Sequence, residues 1–82
     1  MEHNDTLELA LETARIRESL PSPAKRRLLR ESAGITQAEL AAAIGVQAPA
    51  VSRWETGQRH PSKPYAIAYA TALARLVEEV RQ

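Results

Sequence analysis

The stretch from Thr36 to Gly57, TQAELAAAIGVQAPAVSRWETG, admits few folds. Its apolar residues recur at helical spacing in two short runs, and only Gly45, Val46 and Gln47 separate them. Thr36 followed by Glu39 is a capping box that starts the first run. Gly45 supplies the positive φ of a tight turn, and Gly57 closes the second run. Pro49 fits a helix that begins near Gln47 because it then falls in the first turn. Leu40, Ile44, Val46, Val51 and Trp54 supply contacts that lock two helices at a steep angle. Ala41 is small enough to let another helix approach. Gln47, Ser52 and Arg53 are left on the outer face.

The rest of the chain also reads as helix, and no convincing strand is visible. One helix is expected over Thr6 to Leu20, with Asp5 as N-cap, Glu8 three residues on, and Leu7, Leu11, Ala14, Ile16 and Leu20 on its inner face. The prolines of Pro21 to Pro23 end it. A second is expected from Pro23 to about Ala33, closed by Gly34, with Leu28 and Leu29 facing the core. The last is expected from Lys63 to about Val80, with a stripe of Ala66, Ala70, Leu73, Val77 and Val80 and with Tyr69 and Leu76 beside it.

The 82 residues make one folding unit with a small core. There is no cysteine, which excludes disulfides and thiolate zinc sites and suits a reducing cytoplasm. No apolar run approaches the ~18 residues of a membrane span, and the acidic MEHND start does not suit a secretory signal. The net charge is +1 but unevenly placed. Residues 1–22 carry five acids and two bases, whereas residues 23–64 carry seven bases and three acids. The expected organisation is therefore an acidic N-terminal arm and helix (1–22) and a basic domain with an extended last helix (23–82). A basic centre favours an anionic partner.

The pair of short helices is a helix-turn-helix arrangement. The run TQAELAAAIGVQAPAVSRWETGQRHP resembles the Cro/lambda-repressor (XRE-like) family of DNA-binding domains. The matches are Thr36, Gln37, Glu39, Leu40, Ala41, Gly45, Val46, Val51, Ser52, Trp54, Glu55, Gly57 and Pro61. Leu28 to Gly34 resembles the preceding family helix, and Ala70 and Leu73 the core of the following one. The resemblance implies an all-α, lambda-repressor-like bundle of about five helices, with an added N-terminal helix and a long C-terminal helix. It implies that the helix Gln47–Thr56 enters the major groove N-terminus first. By position, Gln47, Ala48, Pro49, Ser52 and Arg53 are then the base-contacting residues. Arg53 is the natural guanine reader, and Gln47 suits an adenine edge. Ala48 and Pro49 offer no side-chain donors, so specificity is expected to lean partly on DNA shape. Gln37, Thr56, Arg59, His60 and Lys63 are the phosphate candidates. The resemblance also pairs Glu55 with Arg30 as a structural ion pair.

Plainer readings stand beside these. Trp54 reads as core rather than as a base-stacking platform. Arg26 and Arg27 read as solvated rather than DNA-contacting, and a solvated loop accounts equally for Arg59, His60 and Lys63. His3 and His60 have no clustered partners, so no metal or other cofactor is expected. No nucleophile, base and orienter combine, so no enzyme is expected. The expected function is sequence-specific binding of double-stranded DNA by a small cytoplasmic prokaryotic or phage transcriptional regulator, a repressor acting as a homodimer. The alternative is an antitoxin or interaction module whose added helices bind a partner protein, or an architectural recombination factor.

Overall fold

In the computed structural model the backbone is described for residues 2–82 and the side chains for residues 5–82. His3 lies outside the described side chains. The fold is all-α, with the order α1 (Glu2–Ser19), α2 (Pro23–Ser32), α3 (Gln37–Ile44), α4 (Ala48–Thr56) and α5 (Lys63–Arg81). No helix among the described residues is long and apolar enough to cross a membrane.

Local chemistry sets most boundaries. Ser22 caps α2, its side chain accepting from the Lys25 N–H, and Pro23 opens the helix. Thr36 and Glu39 form a reciprocal capping box at α3. Gly45 closes α3 at φ 94°, and the Gly45 and Val46 N–H groups both reach the Ala41 carbonyl. That double closure turns the chain within a few residues, and α4 then packs back against α3. Gly57 closes α4, again with positive φ.

α5 is the floor of the domain. It packs against α1, α2 and α3, while α4 packs against α2 and α3. Leu29, Leu40, Ala41, Ile44, Val51, Trp54, Tyr69, Leu73 and Leu76 form one buried cluster. Trp54 and Tyr69 meet at its centre with ring centroids 4.7 Å apart.

Several faces differ from the sequence reading. α1 begins at Glu2, so Asp5 lies within the helix rather than capping it. Nothing between Glu2 and Thr6 breaks a helix, so the cap signal at Asp5 had no stop to enforce. Leu7, Leu11 and Ala14 are exposed, and α1 turns inward through Ala10, Thr13, Ile16 and Arg17, with Leu20 half-buried just after it. Thr13 tolerates full burial because its hydroxyl donates to the Leu9 carbonyl at 2.8 Å. Leu28 is 61% exposed, leaving Leu29 as the core leucine of α2. On α5 the buried stripe is Ala66, Tyr69, Leu73 and Leu76, with Ala70 and Val77 half-buried and Val80 exposed.

These burials separate two leucines of equal size. Leu73→Ala is expected to destabilise the fold by about 2–5 kcal/mol, and Leu28→Ala by no more than about 0.5 kcal/mol. Urea unfolding midpoints of the two variants check this.

Candidate nucleic-acid interface

The proposed reading surface rests on a buried ion pair. Arg30 of α2 binds Glu55 of α4 through two hydrogen bonds, Nε to Oε2 at 2.7 Å and Nη2 to Oε1 at 2.9 Å. The same guanidinium donates through Nη1 to the Ile35 carbonyl, just before α3. Gln37, the first residue of α3, donates its amide N–H to Glu55 Oε1 at 3.1 Å. One carboxylate thus ties α2, α3 and α4. Its side chain is 1% exposed. Burial pushes the Glu55 carboxyl up, but the hydrogen bonds from Arg30 and Gln37 and the Arg30 charge outweigh it and hold the group below its ordinary range. The hydrogen bond to Glu55 raises Arg30 further, against the effect of burial.

Arg26 is a second clamp, and it corrects the expectation of a solvated side chain. It is buried, donating from Nε to the Pro21 carbonyl at 2.7 Å and from Nη1 to the Trp54 carbonyl at 3.0 Å. Its guanidinium stands 6.0 Å from the centroid of the Tyr69 ring. The periodicity did contain the signal, since Arg26, Leu29 and Arg30 share one face at i, i+3 and i+4. The positive charge masked it. Arg27, by contrast, is exposed and pairs with Glu31.

On this frame the outer face of the two short helices divides into two concavities. The first lies between α2, the start of α3 and α4, bordered by Arg27, Gln37, Ala48, Ser52 and Thr56. The second holds Arg53, Arg59, His60 and Ser62, with Trp54 and Tyr65 lining its apolar side. Gln47, Pro49 and Lys63 are exposed and border neither. Arg53, Arg59 and Lys63 form no ion pair among the described residues, so their charges face solvent unneutralised.

The N-terminus of α4 also presents polar groups. Gln47 is its N-cap, yet its side chain makes no capping bond, which leaves the amide available to a partner. Pro49 brings no N–H, and Ala48 brings only its backbone. Thr56 is less available, because its hydroxyl donates to the Ser52 and Arg53 carbonyls at 3.1 and 3.2 Å. The Arg53 carbonyl also accepts from the N–H groups of Gly57, Gln58 and Arg59, which fixes the turn carrying Arg59 beside Arg53. Among the described residues no group of three or more His, Asp or Glu side chains is placed to hold a metal ion.

A family model described as helix-turn-helix (HTH_3) matches residues 27–79, and the chain belongs to this Cro/C1-type, XRE family of DNA-binding regulators. No curated protein and no solved structure matches the chain. The matched span begins after α1, so the N-terminal helix lies outside it.

The ion pair predicts a pH signature. Glu55 is held below its ordinary value of 4.5, so its contribution to stability is complete above that value and is lost as pH falls through the lower folded value. Arg30→Met leaves the carboxylate buried without its charge partner and is expected to cost about 3–5 kcal/mol at neutral pH. In that variant burial dominates and lifts Glu55, so its contribution to the pH dependence reverses, weakening the fold as pH rises through the lifted value. Unfolding free energies measured between pH 3 and 7 on both proteins check the reversal.

Tyr69 predicts the opposite limb. Its ring is fully buried and its hydroxyl makes no hydrogen bond among the described residues. Burial pushes the phenol up to about 12 from 10.0, with the Arg26 charge opposing. Its contribution is complete below pH 10 and declines as pH rises through 12. Tyr69→Phe removes the orphan hydroxyl and is expected to be neutral or stabilising at pH 7, with a shallower alkaline decline in urea titrations.

Proposed function

We propose that the protein is a small transcriptional regulator of prokaryotic or phage type, acting as a repressor, that binds specific double-stranded DNA as a homodimer. α4 enters the major groove with its N-terminal end foremost. The observation that carries this reading is the placement of Arg53. It is exposed and unpaired among the described residues, on the face of a helix whose back is fixed by Trp54 and Glu55. A planar guanidinium on a rigid helix suits bidentate bonding to guanine O6 and N7. Gln47 and Ser52 read neighbouring edges, and Ala48 and Pro49 pack against thymine methyls.

The phosphates flanking this groove are held on either side of α4. Gln37 keeps a second amide N–H and its carbonyl after bonding Glu55, and it sits at the N-terminus of α3, where an anion is favoured. Arg59, His60 and Lys63 serve the other strand, with Thr56 contributing once its hydroxyl turns outward. These contacts set position and register and leave sequence to the base readers. Two copies related by a two-fold axis read half-sites about 34 Å apart, or a multiple of that.

A second reading draws on the exposed Leu7, Leu9 and Leu11 of α1. They suit a protein partner, as in an antitoxin, and co-purification of a stoichiometric partner at high salt distinguishes that case.

Selection from a random duplex pool tests the DNA reading. A palindromic site is expected to emerge. Arg53→Ala then relaxes discrimination at one base position by about 1–3 kcal/mol, while Arg59→Ala weakens all sequences alike and lowers the salt slope by about 1. Absence of any enriched sequence sinks the reading.

A further inference from the structure

The turn between α4 and α5 carries Arg59 and His60, and it is tied at both ends. At its start the Arg53 carbonyl accepts from the Gly57, Gln58 and Arg59 N–H groups, the Arg59 bond being long at 3.3 Å. At its far end the Pro61 carbonyl accepts from Arg17 Nε of α1 at 3.0 Å, a contact between residues 44 apart in sequence. Pro61 has no N–H of its own to anchor it, and the Ser62 side chain makes no capping bond at the start of α5. The bond from Arg17 therefore bears on a stretch with few other restraints.

The second half of α1 is set to make this tie. Thr13, one turn before Arg17 on the same face, is fully buried, as is Pro61. Ala14, Arg17 and Glu18 border a hollow that they share with His60. Arg17 forms no ion pair among the described residues. Yet α1 lies outside the span 27–79 that matches the family. The tie is thus an addition of this chain to the shared domain.

We propose that Arg17 is a positioning residue for DNA binding. By holding the Pro61 carbonyl it sets the turn so that Arg59 and His60 stand at the phosphates beside α4, and it does so without touching DNA itself. Both side chains are exposed, and Arg59 has no ion pair among the described residues. Their placement therefore follows the backbone that carries them. A turn already fixed in the free protein gives up less freedom on binding, which raises affinity without adding a contact. This inference rests on the DNA-binding reading above and makes α1 a determinant of its affinity.

The test compares Arg17→Met with Arg15→Met in the full chain. Methionine keeps an unbranched stem and suits a helix, so both variants are expected to fold with unchanged helix content. Each removes one positive charge from α1, but Arg15 is exposed and forms no ion pair among the described residues. Without DNA, amide exchange at Gln58 and Arg59 is expected to speed up several-fold in Arg17→Met and to keep the wild-type rate in Arg15→Met. On the duplex that the wild type selects, Arg17→Met is expected to weaken all sequences by the same factor. Its salt slope falls toward that of Arg59→Ala, by up to about 1. Combined with Arg59→Ala it is expected to add little further loss. Unchanged exchange at Arg59 overturns the proposal. So does an affinity no lower than that of Arg15→Met, or a loss that adds in full to that of Arg59→Ala, since Arg17 then acts on its own. If the wild type selects no duplex, the DNA reading fails, whereas the exchange rates uphold or overturn the tie by themselves.

Discussion

The carboxylate of Glu55 is the point from which the proposed reading surface is hung. It lies in the last turn of α4, where the helix dipole disfavours an anion. It is retained there because Arg30 grips both oxygens and Gln37 takes a further bond. Those contacts bring together three helices whose termini contribute to one face. Arg26 reinforces the frame from behind by binding the Trp54 carbonyl, one residue before Glu55. The inner side of α4 is thereby fully specified, while Arg53 on its outer side stays exposed.

What was legible in the sequence was local chemistry. Thr36, Gly45, Pro49 and Gly57 fix the ends of α3 and α4 through contacts within a few residues, so their meaning does not depend on the rest of the fold. Trp54 and Val51 were legible as core because a short amphipathic helix has one inner face. The surfaces of α1 and α5 were less so. Leu7 and Leu11 look like core by spacing, but whether a helix face is buried depends on how far along its neighbour it lies. Nothing in the spacing records that offset. The burial of Thr13 was hidden for a related reason, since its hydroxyl is satisfied by its own helix and needs no partner elsewhere.

The candidate site divides along the same line. Arg53, Gln47 and Ser52 are proposed as readers because their residue types and positions on α4 suit that chemistry, and Gln47 and Arg53 are exposed there. Arg26 was missed as a structural residue because charge suggested solvent, although its spacing placed it with Leu29 and Arg30. The engagement of Gln37 by Glu55 and of Thr56 by its own helix carbonyls depends on side-chain geometry that spacing does not encode.

The dependence of α1 on α5 has a consequence for how the chain comes into being. α1 is made before the α5 that serves as its floor. At about 5–20 residues per second of synthesis, the inward face of α1, with Ala10, Thr13 and Ile16, waits on the order of 3–12 s for that floor to emerge. During the same interval α2, α3 and α4 have all their mutual contacts within reach. A nascent chain therefore assembles its middle first and leaves its N-terminal segment as uncovered apolar surface, open to chaperones or to neighbouring chains on the same message.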